Sequence, residues 1–229
     1  MDTVRAVLFD LDDTLTASNE FAAAVLSASA AEHGVAISDE DVRAHRGAVF
    51  LPMLQNVFGV ERTQAYAIYD TYCLRYEEMM RGRLEPTRGA DALLGTLRSR
   101  GIPLALVTNK AEALAGAVLD LFGWRDSFTI LVGHDSSAGH KPDPDPALMA
   151  LRTLGCEAQH AAFVGDSVSD MKCGRSAGIT TVVGLAGTST AEELIEAGAT
   201  HVCHDLGQVL ALLAPAAPGA IPTGTPQTS

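Results

Sequence analysis

The sequence predicts an α/β fold, in which helices cover both faces of a parallel sheet and an all-helical domain is inserted into the chain. Short apolar runs recur, and each is followed by polar or glycine residues and then by a helical pattern. Strands that alternate with helices form parallel sheets, and uninterrupted apolar strands are typical of sheets buried on both faces. The connection from Thr14 to Ile102 is far longer than a crossover helix needs, which indicates an insertion.

The predicted sheet has five strands, and predicted helices lie between several of them. The strands are the apolar runs at 4–9, 102–107, 129–132, 161–164 and 180–183. The helices, each closed by a glycine, are predicted at 90–100, 111–122 and 147–154. We expect Asp143 or Asp145 to cap the last of these helices.

The long connection contains four helical patterns, at 21–34, 38–47, 52–58 and 62–80. The predicted domains are therefore a core formed by residues 1–15 and 87–214 and a helical domain at 16–86, lying over the end of the first strand. Residues 215–229 are rich in proline, glycine and threonine and lack charge, a composition typical of disorder.

The net negative charge of the chain makes some classes of binding partner unfavourable. The formal net charge is −12, which argues against binding to nucleic acid or to an anionic membrane surface. An anionic substrate would therefore need a metal ion or a few basic residues close to it. The apolar runs are too short to span a bilayer, no signal peptide is evident, and the four cysteines form no CxxC pair. We expect a cytoplasmic protein with reduced thiols, either a monomer or a homodimer.

Two carboxylates at the end of the first strand are the most informative feature. Asp10 and Asp12 are separated by one residue, and side chains at i and i+2 of an extended chain point the same way. Two carboxylates so close repel each other and lose hydration, so something must compensate. The usual compensators are a divalent cation or a shared proton.

Other polar side chains follow later strands. Thr108 and Asp166 come directly after the second and fourth strands, and Asp170 lies one helical turn beyond Asp166. The carboxyl ends of parallel strands meet at one edge, where ligands bind. Lys141 lies in a proline-containing loop that limits its freedom. Carboxylates with water suit Mg²⁺, while a hydroxyl and an ammonium beside them suit a phosphate group, and a carboxylate can attack phosphorus.

Four motifs in order carry a resemblance to a known family: Asp10-Leu11-Asp12-Asp13-Thr14-Leu15, Val107-Thr108-Asn109-Lys110, Lys141-Pro142-Asp143-Pro144 and Val164-Gly165-Asp166-Ser167-Val168-Ser169-Asp170. Over residues 4 to 210 the chain resembles the haloacid dehalogenase-like (HAD) hydrolases, in the phosphoglycolate-phosphatase-like branch with a helical cap. The resemblance implies a Rossmann-like core and a Mg²⁺-dependent phosphatase acting through an aspartyl-phosphate on a small phosphate ester, such as phosphoglycolate or a sugar phosphate.

The resemblance also implies roles for individual residues. Asp10 would be the nucleophile and Asp12 the general acid and then base. Phosphate-binding roles fall to Thr108, Asn109 and Lys141. The implied Mg²⁺ ligands are Asp166, Asp10 and the backbone carbonyl of Asp12, with Asp170 in or just behind that set. The chain departs from the family at Asp13, where glycine is frequent, and at Ala17, where many relatives have an acidic residue.

Two alternatives stay open. Asp12 argues against dehalogenation, and the absence of lysine from residues 16–86 argues against phosphonatase chemistry. A sugar phosphomutase of the same fold, or a catalytically idle relative that binds phosphate or a partner, remains possible. In the cap, Arg46 and Gly47 are the candidates for substrate specificity, and the four tyrosines between 66 and 76 are expected to pack rather than to form a ligand site.

Overall fold

The computed structural model describes residues 4–213, so the predicted tail at 215–229 lies outside the described residues. Within them, the strands are β1 (Ala6–Phe9), β2 (Thr16–Ala17), β3 (Glu85–Pro86), β4 (Leu104–Val107), β5 (Ile130–Val132), β6 (Ala161–Gly165), β7 (Thr181–Leu185) and β8 (His201–Cys203). Six of them form one parallel sheet in the order β5-β4-β1-β6-β7-β8. The predicted parallel sheet is confirmed.

The helices of the described residues fall into two groups. Those between β2 and β3 are α1 (Asn19–Glu32), α2 (Asp39–Arg43), α3 (Phe50–Asn56) and α4 (Arg62–Met80). Those after β3 are α5 (Ala90–Ser99), α6 (Glu112–Leu121), α7 (Asp145–Leu154), α8 (Val168–Ser176), α9 (Ala191–Glu196) and α10 (Leu206–Leu213).

The centre of the sheet explains where polar side chains collect. All four residues of β1 are fully buried, and two apolar clusters cover the two faces of the sheet. β1 pairs with β4 on one side and with β6 on the other, so the strand order reverses at β1. In open parallel sheets, a crevice forms at the carboxyl ends of the strands where the order reverses.

A two-stranded antiparallel pair lies where the chain leaves and re-enters the core. In this pair, β2 and β3 place Thr16 opposite Pro86 and Ala17 opposite Glu85. We propose that it is the junction between the core and the helical domain, which supports boundaries near residues 16 and 86. Strands of two residues carry no alternation pattern, so this pair was not predicted from the sequence.

The predicted cap of the helix after Lys141 is wrong. The N-cap position of α7 is Pro144, whose side chain makes no capping hydrogen bond, and Asp145 is the first helical residue. A carboxylate in the first helical turn still interacts favourably with the helix dipole, which accounts for the acidic residue there.

Candidate active site

The four predicted core motifs meet at the carboxyl edge of the sheet. Asp10 follows β1, Thr108 follows β4 and Asp166 follows β6, while Lys141 arrives from the loop before α7. These residues and Asp12 line one pocket between the sheet edge and the helical domain. Asp10, Thr108, Asp166 and Lys141 are all buried, with at most 7% of their surface exposed. Polar side chains so deeply buried need partners, and each one is best described by its contacts.

Lys141 is the positive centre of the site. Its Nζ donates to Asp10 Oδ1 and to Asp170 Oδ1, each at 2.6 Å, and to the Val107 carbonyl at 3.0 Å. All three of its donors are therefore occupied. Burial alone would lower the pKa of Lys141, but the Asp10 and Asp170 carboxylates outweigh burial and raise it above its ordinary value. Lys141 is charged and fixed beside Asp10.

Asp170 is held from the other side by the start of α8. Its Oδ2 accepts hydrogen bonds from Ser167 N at 3.0 Å and Ser167 Oγ at 2.6 Å, while Ser167 Oγ accepts the Asp170 N–H. This reciprocal capping box fixes the first turn of α8. Both carboxylate oxygens of Asp170 are thus in use, one by Lys141 and one by Ser167.

Three carboxylates form an acidic cluster. Oxygens of Asp10, Asp166 and Asp170 lie within 4.8 Å of one another, and all three residues are buried. Thr14 Oγ1 donates to Asp166 Oδ1 at 2.8 Å. Among the described residues, Lys141 is the cation that contacts this cluster, through Asp10 and Asp170. An oxygen-only donor set with more negative than positive charge fits a hard divalent cation such as Mg²⁺.

The pKa values of two carboxyl groups in the cluster are raised, as expected for buried groups with an excess of negative charge. Burial raises the pKa of Asp10 to about 7, against the opposing effect of Lys141. Burial, followed by the neighbouring charges of Asp170 and Asp10, raises the pKa of Asp166 well above its ordinary value. Buried carboxylates that repel one another hold protons more tightly unless a cation replaces the proton.

Asp12 faces a different lysine from Asp10. Lys110 Nζ lies 2.9 Å from Asp12 Oδ2, and Ser18 Oγ donates to Asp12 Oδ1 at 2.7 Å. The sequence predicted a divalent cation or a shared proton as compensation for the Asp10/Asp12 pair, whereas in the structure each carboxylate also has its own ammonium group. Sequence reasoning assigned no role to Lys110, although its place directly after Thr108 and Asn109 was a signal for one.

Asp13 explains one departure from the family pattern. Its φ of +57° is in the left-handed region, which glycine adopts freely and aspartate tolerates better than most residues. Its Oδ1 accepts the backbone N–H groups of Ser18 at 2.9 Å and Asn19 at 3.0 Å. Aspartate at this position therefore ties the turn after β1 to the start of α1.

Asn109 links the core to the helical domain. Its Oδ1 accepts Lys141 N at 3.0 Å, and its Nδ2 donates to Lys141 O at 3.0 Å and to Gly47 O at 2.6 Å. Both polar atoms of the side chain are therefore engaged with backbone groups. The side chain fixes the loop that carries Lys141 and holds the loop between α2 and α3 against the core.

The predicted cap residues lie at this contact. Gly47 has a φ of +74°, and a Cβ on it would lie 3.3 Å from both Cβ and Oγ of Ser167. Arg46 Nη1 donates to the Thr188 carbonyl at 3.3 Å, and Arg46 also lines the pocket. The structure thus brings both residues to the edge of the candidate site.

The remaining pocket wall comes from the helical domain and is largely apolar. It includes Ala22, Val42, Phe50 and Tyr72. Tyr72 and Tyr76 are buried and their rings pack together, as expected from their helical spacing. Tyr69 lines the pocket as Tyr72 does, and its Oη lies 3.2 Å from Nε2 of a core residue, His134.

Comparison with known proteins agrees with this geometry. The family model "Haloacid dehalogenase-like hydrolase" matches residues 7–183. The chain is 34% identical over 222 residues to a phosphoglycolate phosphatase from Rhodospirillum rubrum, covering 90% of this chain and 89% of the relative. It is 30% identical over 181 residues to an N-acetylmuramic acid 6-phosphate phosphatase from Pseudomonas aeruginosa, covering 78% and 80%.

The fold is also found in solved structures. A haloacid dehalogenase-like hydrolase from Bacteroides fragilis superposes with a TM-score of 0.82 at 23% identity, covering 90% of this chain and all of the other. Because the family model spans most of the sequence, the chain belongs to the haloacid dehalogenase-like hydrolases. Within that family it lies in the phosphoglycolate-phosphatase-like branch, and it is a phosphatase.

Proposed function

We propose that this protein hydrolyses the phosphate monoester of a small metabolite, in two steps and with Mg²⁺, through an aspartyl-phosphate on Asp10. In the first step an Asp10 oxygen forms a bond to phosphorus, the bond from phosphorus to the ester oxygen breaks, and Asp12 gives its proton to that oxygen. In the second step Asp12 takes a proton from water, whose oxygen forms a bond to phosphorus. The bond from phosphorus to the Asp10 oxygen breaks, which releases inorganic phosphate and frees Asp10.

The observation that carries the proposal is the contact between Asp10 and Lys141. A buried carboxylate held by an ammonium 2.6 Å away is fixed in position, as an in-line nucleophile requires. Lys141 also provides positive charge for the equatorial phosphoryl oxygens. Thr108, buried beside them, offers a hydroxyl to the phosphoryl group. Since the Asn109 side chain is engaged elsewhere, we assign its contribution to the backbone N–H.

Asp10, Asp166 and the Asp12 carbonyl are the proposed ligands of the Mg²⁺ ion. Bound Mg²⁺ would neutralise charge on the phosphoryl group and on the acidic cluster. Asp170 acts from behind, because Lys141 and Ser167 already occupy its two oxygens. Its role is to aim Lys141 at Asp10.

The pocket supports a small substrate. The loop at Gly47 closes against Ser167 and Asn109, and the pocket wall opposite the carboxylates is made of small and apolar residues with Arg43 and Arg46 at the side. Relatives act on phosphoglycolate and on a sugar phosphate, and either size of ester is compatible with the proposal.

The test is release of inorganic phosphate from a panel of esters, with Mg²⁺ or with EDTA. The panel includes 2-phosphoglycolate, hexose phosphates, N-acetylmuramic acid 6-phosphate and 4-nitrophenyl phosphate. We expect Mg²⁺-dependent release concentrated on one or two metabolites, and none from Asp10→Asn with its melting temperature preserved. Release that is undiminished in Asp10→Asn would overturn the assignment of the nucleophile.

A further inference from the structure

Lys110 is a buried cation that the proposed mechanism does not use. Its side chain is only 5% exposed, while that of Asp12, 2.9 Å away, is 29% exposed. Its Nζ also lies 4.3 Å from the centre of the Tyr76 ring. A buried ammonium is costly unless it is paired, so these two neighbours account for its stability in this position.

We propose that Lys110 is a positioning residue for Asp12, and that the ring of Tyr76 keeps Lys110 in place. The inference rests on the proposed function, in which Asp12 first gives and then takes a proton. Lys110 is neither the proposed nucleophile nor one of the proposed phosphate-binding residues. Through Tyr76, helix α4 of the helical domain would also contribute to proton transfer.

The contacts of Asp12 describe the state that follows proton donation. Both of its oxygens accept hydrogen bonds, one from Ser18 and one from Lys110, as only a carboxylate does comfortably. When Asp12 passes its proton to the ester oxygen, the carboxylate that forms already faces an ammonium group. The same contact keeps Asp12 oriented for the attack of water. Lys110 therefore holds the Asp12 side chain in place through both transfers.

Tyr76 makes this arrangement depend on the helical domain. Lys110 lies in the core between β4 and α6, whereas Tyr76 is on α4. The ring covers the ammonium and attracts it through its π face. Tyr76 Oη has no hydrogen-bond partner among the described residues, so the ring rather than the hydroxyl is the functional part. Packing of α4 over the core thus shields the Lys110 ammonium from water, while the Asp12 carboxylate stays partly exposed to the pocket.

A different role for Lys110, direct binding of an anionic group on the substrate, is less consistent with the exposure of the pair. The carboxylate is the more exposed member, and the ammonium is almost fully covered by Asp12, Tyr76 and their neighbours. A substrate in the pocket therefore reaches Asp12 more easily than Lys110.

The leaving group of the substrate separates these roles. Nitrophenolate leaves without a proton, whereas an alkoxide needs one from Asp12. We would measure kcat/KM of the wild type and of Lys110→Met on 4-nitrophenyl phosphate, 2-hydroxyethyl phosphate and 2-phosphoglycolate with Mg²⁺ present. The last two have similar alkyl leaving groups and differ in that one carries a carboxylate. In the variant, we expect both alkyl esters to lose on the order of 10- to 100-fold more activity than the aryl ester.

Substitutions of Tyr76 give a second, independent test. Tyr76→Phe keeps the ring and should preserve the ratio of alkyl to aryl activity. Tyr76→Leu removes the ring and should lower the ratio of alkyl to aryl activity, in the same direction as Lys110→Met. Thermal melts of each variant show whether it is folded at the assay temperature.

Three outcomes would overturn the inference. Equal losses on all three esters in Lys110→Met would make Lys110 a structural residue, and a loss confined to 2-phosphoglycolate would make it a ligand of the substrate carboxylate. An unchanged alkyl-to-aryl ratio in Tyr76→Leu would show that the Tyr76 ring does not keep Lys110 in place. Wild-type protein that releases phosphate from no ester at all would instead contradict the proposed function.

Discussion

At the scale of single residues, the site consists of two carboxylates that are paired with two different lysines. Asp10 contacts Lys141 and Asp12 contacts Lys110. In the proposed mechanism, the first pair serves phosphoryl transfer and the second serves proton transfer. Because each carboxylate has its own lysine, Asp10 and Asp12 can have different proposed roles although they are only two positions apart. Asp166 differs from both, because among the described residues no lysine or arginine forms an ion pair with it, which makes it the most informative residue for the metal.

Asp166 gives a pH-dependent prediction for the metal-free protein. Its pKa in the folded state is raised above 3.8, chiefly by burial. A carboxyl group with a raised folded pKa stabilises the protein fully at low pH, and that stability is lost as the pH rises through the folded pKa. Asp10, with a pKa of about 7, adds to the loss between about pH 4 and 7. In EDTA, the melting temperature should therefore fall from pH 5 to pH 8 by less in Asp166→Asn than in the wild type.

Two comparisons make this prediction specific. Asp126→Asn, at an exposed aspartate away from the site, should leave the wild-type pH dependence unchanged. Excess Mg²⁺ at pH 8 should raise the melting temperature of the wild type and leave that of Asp166→Asn nearly unchanged. An identical pH dependence in wild type and Asp166→Asn would contradict the assignment.

At the scale of elements, the loop between α2 and α3 connects the helical domain to the loops that carry Asn109 and Ser167. Gly47 accepts a hydrogen bond from Asn109 and packs on Ser167. Ser167 in turn holds Asp170, which holds Lys141. A displacement of Gly47 would therefore be passed through these contacts to the Lys141 ammonium beside Asp10, the proposed nucleophile.

Gly47→Ala tests this chain of contacts, and Gly34 offers a matched control. Both glycines have a φ of +74°, so alanine at either position costs about 1–2 kcal/mol of conformational strain. A Cβ at residue 34 meets nothing within 4 Å, whereas one at residue 47 presses on Ser167. We expect similar losses of stability in the two variants and a clear loss of kcat/KM in Gly47→Ala alone. Equal activities would show that the contact with Ser167 does not matter.

The sequence predicted the parts of this molecule that have a strong local pattern. Apolar runs marked β1, β4, β5, β6 and β7, and their polar ends correctly placed Asp10, Thr108 and Asp166 at one edge. The β2–β3 pair escaped prediction because two residues cannot show a period. The Lys110–Asp12 pair escaped it because the contact joins loops that are distant in sequence, and spacing along the chain cannot show which lysine faces which carboxylate.

At the scale of the whole molecule, the helical domain and the core share one apolar cluster. Leu26, Leu54 and Ile68 of the helical domain belong to the same buried cluster as Leu106 and Val164 of the sheet. None of the helices in residues 4–213 has the length and apolar character needed to cross a membrane. Many apolar side chains of α1, α3 and α4 are buried, although Leu74 and Tyr66 on α4 are exposed.

A shared cluster predicts cooperative unfolding. If the two domains are stabilised by the same buried contacts, neither should unfold at a lower temperature than the other. Calorimetry of the wild type should give one transition, with equal calorimetric and van't Hoff enthalpies. Two resolved transitions, with loss of α-helical signal in the first, would contradict this prediction, because the helical domain would then unfold independently of the core.

In the proposed mechanism, Asp10 carries the phosphoryl group between two steps that both use Asp12. The most direct measurement uses Asp12→Asn with 4-nitrophenyl phosphate and Mg²⁺. Nitrophenolate needs no proton, so the first step proceeds, while hydrolysis of the intermediate is slowed by about 10²–10⁴-fold. We expect a burst of one nitrophenolate per enzyme, and peptide mass spectrometry after acid quenching should find one phosphoryl group on Asp10. Steady release of nitrophenolate without a burst and without phosphorylated Asp10 would contradict the account.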